Sequence, residues 1–508
     1  MRKLGLVLAA GMTFFGPIGA SGAMAQHEER FGAAAYQGKI ADGISEFEKT
    51  VAGAPDDASA RLALGALTFL SAIEGLQQDL YRLGAGNRPA GMRRGFLPVF
   101  RVPVPPNPSP EVASYEEVRG LLGRFSDRLR TAKAILSEIG DRPAKLRIDL
   151  LKIGFDINGD GNVSNFEKLA ATLDGMRFRG RGDLTALVEP IAFDTADAKW
   201  LMGYSSVLMS VADFFLSFDF EKSYDTVFHV VFGEKATRFG RQLAGLSGSA
   251  EEIEAVEAEI RKAEQEMEKA FSREERKRLS EIYRDQRKIR LDKSLTPEER
   301  KAKLEESKPE FDRLVKAQRE QSSHRGRVRT LRQRRAMLDP ANNANPSFGA
   351  WLDPIGFLHS ISWKVVDPDR LKRVRADLLD VVRLSRETWR LAALETDDDR
   401  EWLPNPKQTS PFKSLTVTQE IIDSWLQTLT GLEAVLEGKM LVPSMRFGRG
   451  INMKKFFETA DSFDLVLFLT GPNSAAYAEK GPVIDSRFMR SMGGPMGRSF
   501  GAYAIWFN

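Results

Sequence analysis

Residues 156–167 read Asp-Ile-Asn-Gly-Asp-Gly-Asn-Val-Ser-Asn-Phe-Glu, and this stretch sets the local fold in the first half of the chain. Oxygen-bearing side chains stand at alternate positions, with Gly161 at the sixth position and Glu167 at the twelfth. A residue without a Cβ turns sharply at low cost, so the pattern predicts a tight loop with converging polar groups. The sequence contains no second stretch of this type.

The spacing of these oxygen-bearing residues suits a calcium ion. Ca²⁺ takes roughly six to eight oxygen ligands at about 2.3–2.6 Å, and a tight loop supplies them from alternate positions. The predicted ligand residues occupy loop positions 1, 3, 5, 7, 9 and 12: Asp156, Asn158, Asp160, Asn162, Ser164 and Glu167. Asn162 would offer its backbone carbonyl, Ser164 would coordinate directly or through a water, and Glu167 would supply both carboxylate oxygens. We therefore predict Ca²⁺ as the cofactor.

This segment resembles the EF-hand calcium-binding family, because it fills every position of the pattern D-x-[DN]-x-[DN]-G-x5-E. The resemblance covers about thirty of the 508 residues. Asp, Asn and Gly runs also form ordinary turns, but Gly161 and Glu167 at their two positions together favour metal binding. The single loop argues against a cooperative calcium sensor, whose loops work in pairs.

The flanks of the loop match the family on one side only. The family has a helix before the loop, whereas residues 145–150 alternate polar and apolar side chains, which is the period of a strand. After the loop, Phe166, Leu169 and Leu173 have helical spacing. We expect a loop followed by a helix, without a paired hand.

The first 25 residues have the composition of a secretory signal peptide. Arg2 and Lys3 precede an apolar run over residues 4–18, and residues 23–25 read Ala-Met-Ala, a typical cleavage site. The run is shorter than the ~20 residues of a membrane-spanning helix, so we predict cleavage after Ala25. The chain has no cysteine, which excludes disulfides and thiolate chemistry. We expect a periplasmic or secreted protein with no transmembrane span after cleavage.

Charge and length restrict the partners and the organisation. Without Arg2 and Lys3 the formal net charge falls from +4 to +2, which favours no particular partner, and the expected compartment disfavours nucleic acid. The length allows two to four domains. Residues 200–220 are apolar enough to raise the question of a membrane, but Asp213 and Asp219 indicate a buried core helix.

Changes in composition divide the chain into five regions. They are a signal peptide at 1–25, an N-terminal helical region at 26–140 with a proline-rich loop at 85–110, a region with the calcium loop and apolar helices at 141–248, a charged helical hairpin at 249–338, and a mostly helical C-terminal region at 339–508. Apolar spacing and caps predict helices around 40–51, 62–80, 115–136, 200–220, 368–394, 421–436 and 453–469. Alternation over 500–507 predicts a terminal strand.

The region 249–338 is dominated by charge. More than half of residues 251–335 are charged, apolar residues recur at heptad spacing, and Thr296 and Pro297 start a second helix. Acidic residues cluster at 251–259 and arginines at 325–335. These ends lie side by side in an antiparallel hairpin, so mutual salt bridges explain both clusters. The alternative is a contact site for an envelope protein or an anionic envelope polymer.

The C-terminal region offers little legible chemistry. Asp397, Asp398 and Asp399 form an acidic run that fits either a second metal site or a solvated turn or helix cap. The sequence has no His-Glu-x-x-His zinc motif and no Gly-x-Ser-x-Gly elbow. Its 70 Asp and Glu residues allow too many carboxylate pairs to choose a catalytic one, so catalytic residues stay unknown. Tryptophans at helical spacing favour the core over a carbohydrate platform.

These patterns predict a mainly α fold: a helical body with one EF-hand-type calcium loop and a long charged antiparallel helical hairpin. The expected function is structural binding of one calcium ion in a secreted or periplasmic bacterial scaffold or binding protein, with the hairpin as its contact region. The alternative is a hydrolase of an envelope polymer, in which calcium is structural. A cleft with converging carboxylates favours the hydrolase, and a smooth helical body favours the scaffold.

Overall fold

The computed structural model describes residues 18–87, 103–171, 189–246, 248–292, 294–338, 349–411, 416–444 and 446–484. The pattern of contacts divides the chain into two compact units, one formed by residues 1–237 and 351–508 and the other by residues 238–350. The loop at 156–167 therefore shares its unit with the N-terminal helices and most of the C-terminal region. The charged hairpin belongs to the other unit.

The described residues are mainly helical, as the sequence predicts. The α-helices in chain order are α1 Ile18–Ala35, α2 Ile40–Gly53, α3 Ala58–Arg82, α4 Tyr115–Ser137, α5 Thr195–Leu216, α6 Glu221–Val227, α7 His229–Phe232, α8 Arg238–Leu246, α9 Ala250–Ala270, α10 Arg273–Leu291, α11 Pro297–Leu338, α12 Gly349–Ser360, α13 Pro368–Ala392, α14 Gln419–Leu436, α15 Met453–Thr459 and α16 Leu465–Thr470. Side-chain caps start several of them: Asp57, Ser114 and Asp194 accept backbone N–H groups of α3, α4 and α5.

The strands are short and antiparallel. They are β1 Lys145–Ile148, β2 Ile191–Asp194, β3 Phe218–Asp219, β4 Ser362–Val365, β5 Val442–Pro443, β6 Gly450–Ile451, β7 Ser462–Asp464 and β8 Ala478–Glu479. β1 pairs with β2, β4 lies between β3 and β7, and β6 lies between β5 and β8. The β1–β2 register places Lys145 opposite Asp194.

Four long helices form the core of the larger unit. α4 packs between α3 and α5, and α5 packs against α13. The buried Asp213 of α5 accepts hydrogen bonds from Ser126 at 3.0 Å, Arg130 at 2.8 Å and Arg370 at 2.8 Å. Because Ser126 and Arg130 belong to α4 and Arg370 to α13, this carboxylate joins three helices.

Two apolar helices raise the question of a membrane span, and both are buried in the fold. Among the described residues one helix, α3, is long and apolar enough to cross a membrane, and 72% of its most apolar window is buried in the fold. Burial of this kind is typical of a core helix. The stretch around Trp200 forms α5, whose Met202, Met209 and Leu216 are buried in the same core.

The charged hairpin forms the smaller unit and has a broken first arm. α9 ends at Ala270 and α10 begins at Arg273, while α11 runs opposite both as one helix. The buried Gln321 of α11 donates to the carbonyls of Met267 and Phe271 at 3.2 and 3.0 Å, so it satisfies acceptors at the break. The predicted start at Pro297 is confirmed.

The predicted salt bridges between the two arms of the hairpin are present in part: among the described pairs, two reach the acidic cluster at 251–259 and two use glutamates further along α9. The pairs, in order along α11, are Arg327 with Glu266, Arg332 with Glu264, Arg334 with Glu259 and Arg335 with Glu257. All four pairs keep part of each side chain exposed, so each contributes little to stability, typically about 0–1 kcal/mol.

One helix prediction is wrong. The expected helix over 453–469 is interrupted by β7, because Phe463 lies opposite Trp363 in the sheet and packs in an aromatic cluster. Asp464 then caps α16. Other predictions lie partly or wholly outside the described residues: the apolar run at 4–18, most of the proline-rich loop, Leu173 and the strand at 500–507.

Candidate functional site

The segment that enters the loop is anchored in the core. Ile153, Phe155 and Ile157 are buried, and each is at most 2% exposed to solvent. The Phe155 N–H donates to the Glu167 carbonyl at 3.0 Å, which joins the beginning of the loop to its end. The predicted strand before the loop is confirmed as β1, and a single 3-10 turn at Leu150–Lys152 separates it from the loop.

On the exit side of the loop, the described residues reach only the beginning of the predicted helix. A 3-10 turn at Asn165–Glu167 ends the loop, and Lys168 forms an antiparallel bridge with Gly154. Residues 169–171 are helical, and the following part of the predicted exit helix lies outside the described residues.

Helix α3 contacts the first residue of the loop. Glu74 Oε1 accepts a hydrogen bond from the Asp156 N–H at 3.1 Å, and Gln78 Nε2 donates to the Asp156 carbonyl at 2.9 Å. Burial, and after it the negative charge of Asp156, raise the pKa of Glu74 to about 7. The first residue of the loop is therefore held by a helix nearly eighty residues earlier in the chain.

Within the loop, the predicted ligand side chains accept hydrogen bonds from backbone N–H groups. Asp156 Oδ2 accepts one from Gly161 at 3.2 Å. Asn158 Oδ1 accepts one from Asp160 at 3.0 Å, and Asp160 Oδ1 accepts one from Asn162 at 2.8 Å. Gly161 has a φ of +79°, so the turn needs glycine as the sequence indicates.

Glu167 closes the loop from inside. Its side chain is almost fully buried, with Oε1 accepting the Ile157 N–H at 3.2 Å and Oε2 accepting the Ser164 N–H at 3.0 Å. Both oxygens predicted to bind the ion are thus engaged by the backbone of the loop itself. An ion would have to exchange with these donors.

One ligand oxygen of the loop has no partner. Asp156 Oδ1 is buried and has no hydrogen-bond donor in the described part of the chain. The carboxylate oxygens of Asp156, Asp160 and Glu167 do not gather within 4.8 Å of one another. The loop is folded and hydrogen-bonded, and its carboxylates would have to move closer together around a cation.

A second polar site, which we call the acidic cavity, lies in the same unit. It encloses about 600 Å³, and its charged or titratable lining residues are His27, Asp57, Asp141, Lys145, Asp194, Glu395 and Asp397. The β1–β2 pair contributes Lys145 and Asp194, and the segment after α13 contributes Glu395 and Asp397.

Two groups of three carboxylates meet at Glu401 beside this cavity. In each group one carboxylate oxygen per residue lies within 4.8 Å of the others. The groups are Asp194, Glu395 and Glu401, and Asp397, Asp399 and Glu401. Lys145 Nζ lies 2.8 Å from Asp399 and 3.4 Å from Glu401, so the second group surrounds an ammonium ion of the protein itself.

Two of these carboxyl groups, those of Glu395 and Glu401, are unusually hard to ionise. Burial, and after it the hydrogen bond with Asp194, raise the pKa of Glu395 to about 10. Burial and the hydrogen bond to Asp399 raise the pKa of Glu401 to about 9, and the same hydrogen bond lowers the pKa of Asp399. Burial also raises the pKa of Asp197, which lies next to Asp194. At neutral pH and without a cation, Glu395 and Glu401 hold protons.

Sequence reasoning found part of these sites. It named the loop residues and the acidic run that contains Asp397 and Asp399. It missed Glu74, although an acidic residue on a mostly apolar helix was a signal that could have indicated it. It also missed Glu395 and Glu401, because only folding brings the segment after α13 beside β2.

The comparisons with known proteins add no relative. No protein-family model matches the chain, and searches of curated proteins and of solved structures find no match either. The geometry therefore defines the class: a mainly α-helical protein with a glycine-turned acidic loop and a separate cavity of buried carboxylates.

Proposed function

We propose that this protein binds one calcium ion in residues 156–167 and acts as a secreted or periplasmic scaffold or binding protein. The observation that carries the proposal is that Asp156 Oδ1, a buried carboxylate oxygen, accepts no hydrogen bond from any described residue. An unmatched buried acceptor costs about 1–3 kcal/mol, and a cation at the first position of the loop would remove that cost.

The ligands in this proposal are the six residues that the spacing predicts. They are Asp156, Asn158, Asp160, Asn162, Ser164 and Glu167. The burial of Glu167 and its hydrogen bonds with the Ile157 and Ser164 N–H groups support a role as the carboxylate that closes the calcium sphere. Its two backbone donors would be released when it turns to the ion.

Calcium would act as a structural ligand. An ion that binds only the folded chain stabilises it by RT ln(1 + [L]/Kd), about 2.7 kcal/mol at a concentration one hundred times Kd. Magnesium demands stricter octahedral geometry at shorter distances, so the loop should prefer calcium. The anchoring of this segment by Phe155, Ile157 and α3 would pass the stabilisation to the core.

The variant Asp156→Asn tests the proposal. Asparagine keeps an acceptor for the Gly161 N–H, but it replaces the unmatched oxygen by an amide nitrogen and removes the charge beside Glu74. In thermal melts we expect millimolar calcium, and not magnesium, to raise the melting temperature of the wild-type protein by several degrees. D156N should melt at or slightly above the wild-type temperature in chelator and should show a clearly smaller calcium response than the wild-type protein, because the loop no longer contributes.

Two variants sharpen this test. Asp127→Asn removes a carboxylate from the exposed face of α4 and should keep the full calcium response. Glu167→Gln should lose the loop's part of the calcium response and also melt lower in chelator, because its amide NH₂ would face a backbone N–H at a cost of about 1–3 kcal/mol. An equal calcium response in D156N and wild-type protein would refute the loop as the site.

The proposed contact region for an envelope protein or an anionic envelope polymer is the hairpin at 249–338. Its arginines pair with glutamates, yet the Arg327 and Arg332 side chains stay 53% and 61% exposed. Exposed guanidinium groups can exchange an internal carboxylate for a phosphate or carboxylate of a partner.

Hydrolysis of an envelope polymer is the second candidate function. The acidic cavity favours it, since converging carboxylates beside a half-open pocket are typical of hydrolases. Incubation of the purified protein with envelope polymers should then release fragments that Glu395→Gln no longer releases.

A further inference from the structure

We propose that Asp194, Glu395 and Glu401 form a second cation site, separate from the loop at 156–167, for a hard divalent ion bound through oxygen. Calcium and manganese are the ions that fit this chemistry, because all three ligands are carboxylates and no nitrogen or sulfur ligand is among them. The site lies against the acidic cavity, which gives it a route for exchange with solvent.

The first argument is the spacing of the carboxylates. One oxygen from each of the three residues lies within 4.8 Å of the others. A single ion with ligands at about 2.3–2.6 Å spans up to about 5 Å between opposite ligands, so one ion can touch all three oxygens. The side chains need no large movement to share it.

The second argument is the distribution of positive charge. The neighbouring group of Asp397 and Asp399 has Lys145 in its centre. Neither Asp194 nor Glu395 forms an ion pair with a lysine or arginine in the part of the chain that the structure describes. Of the three residues of the proposed site, Glu401 has Lys145 beside it, and that lysine is shared with Asp397 and Asp399.

The third argument is an unmatched oxygen. Glu401 is 1% exposed, its Oε2 has no N–H or hydroxyl donor among the described residues, and its Oε1 faces Lys145. Its hydrogen bond with Asp399 joins two carboxyl groups, so it needs a proton held between them. An oxygen such as Oε2 can be satisfied only in two ways: by a proton that it shares with another carboxyl group, or by a bound cation. The loop at 156–167 shows the same feature at Asp156, so both sites have a buried carboxylate oxygen without a donor.

The fold holds these ligands in place independently of any ion. Asp194 caps α5, with Oδ1 accepting the N–H groups of Ala196 and Asp197, and this leaves Oδ2 for another partner. The backbone around Glu401 pairs with β2: the Ala192 N–H donates to the Arg400 carbonyl and the Trp402 N–H to the Ala192 carbonyl, both at 3.0 Å. Two of the three ligands are thus fixed by one strand.

The experiment measures ion stoichiometry in the full chain by equilibrium dialysis, with calcium and with manganese separately. D156N serves as the background, because it disables the loop without touching the cavity. We expect D156N to bind one ion per chain and wild-type protein to bind two. Glu395→Gln in that background should raise the Kd of the remaining site about tenfold or more, since it loses one of three charged ligands.

Asp397→Asn is the matched control, because its carboxylate belongs to the group that Lys145 neutralises. It should change the Kd of the D156N background less than twofold. A loss equal to that of E395Q would place any ion in the lysine group and overturn the proposal. A D156N protein that binds neither ion would also overturn it and would show that shared protons satisfy these carboxylates.

The two proposals fail in distinguishable ways. If wild-type protein binds one ion and D156N none, the loop is the site and the cavity is not. If both proteins bind one ion and E395Q removes it, the cavity is the site and the loop is not. The stoichiometry of D156N needs no cavity variant, so the proposal stays testable even if E395Q does not fold.

Discussion

Glu74 contacts the calcium loop although it lies outside the pattern that defines the loop. Its carboxyl group is half-buried and accepts a hydrogen bond from the Asp156 N–H, and the Asp156 charge lies beside it. Two acidic groups in a partly buried place cannot both ionise cheaply. Glu74 therefore makes the stability of the loop depend on pH.

We predict that the stability of the wild-type protein in chelator has a component that falls as the pH rises from about 4.5 to about 7. The folded chain holds the Glu74 proton up to the raised pKa of about 7, whereas the unfolded chain releases it near the ordinary glutamate pKa of 4.5. The folded state binds more protons in this window, so raising the pH favours unfolding.

Glu74→Gln isolates this component. Glutamine keeps an acceptor for the Asp156 N–H and cannot ionise, so the variant should gain several degrees in melting temperature relative to wild type at pH 7 and almost nothing at pH 4.5. Glu395 and Glu401 shift stability in the same direction, but they are common to both proteins and cancel in the difference. A difference that is constant over this range would contradict the assignment.

At the scale of elements, the loop is positioned by close packing against a turn and a strand. Val163 packs against Gly38, which joins α1 to α2, and against Gly154, where a Cβ would lie 2.5 Å from Val163 Cγ1. The Gly154 N–H also donates to the Ala35 carbonyl at 2.8 Å. The apolar residue of the loop thus fits a gap that only glycines leave open.

We predict that Gly154→Ala destabilises the protein by about 1–3 kcal/mol, because the added methyl group overlaps a stiff β-branched side chain beside the loop. The same change should weaken calcium binding, since the loop has to move to relieve the overlap. Chemical unfolding in chelator and calcium titration measure the two effects.

Val163→Ala provides the matched rescue. It removes both methyl groups that approach Gly154, so the double variant should be less destabilised than the sum of the two single variants. Gly53, at the end of α2, has open space around a built Cβ, and Gly53→Ala should cost little. Additive effects in the double variant would show that Gly154 acts through something other than Val163.

At the scale of the whole molecule, Asp213 joins helices that are far apart in sequence. Its carboxylate is fully buried and is shared by Ser126, Arg130 and Arg370. From the sequence alone, Asp213 indicates only that the helix around it is not a membrane span. In the fold it fixes α5 between α4 and α13, and α5 begins at Asp194 of the acidic cavity.

We predict that Asp213→Ala destabilises the larger unit by about 3–5 kcal/mol, the usual cost of removing one partner of a buried ion pair. The melting temperature in chelator should fall by several degrees. Asp127→Ala, on the exposed face of α4, should stay within about 0.5 kcal/mol of wild type. Equal effects of the two substitutions would show that the buried pairing does not stabilise the unit.

The sequence by itself determined the helices, the hairpin and the residues of the loop. Helical spacing with N-caps at Asp57, Ser114 and Asp194 acts within a few residues, so it can be read directly. The loop pattern is equally local, because Gly161 and the alternate oxygens act within twelve positions. The helix at 453–469 failed because the pairing of Phe463 with Trp363 overrides local spacing.

Only the tertiary structure decided what surrounds these local elements. The contact of Glu74 with Asp156, the burial of Glu167 and the meeting of Asp194 with Glu395 and Glu401 depend on segments tens to hundreds of residues apart. The pKa of a carboxylate and the presence of a counter-ion beside it depend on burial and on neighbouring groups. Local spacing in the sequence encodes neither burial nor these neighbours. The loop could therefore be named from sequence, while the acidic cavity appeared only when the chain was folded.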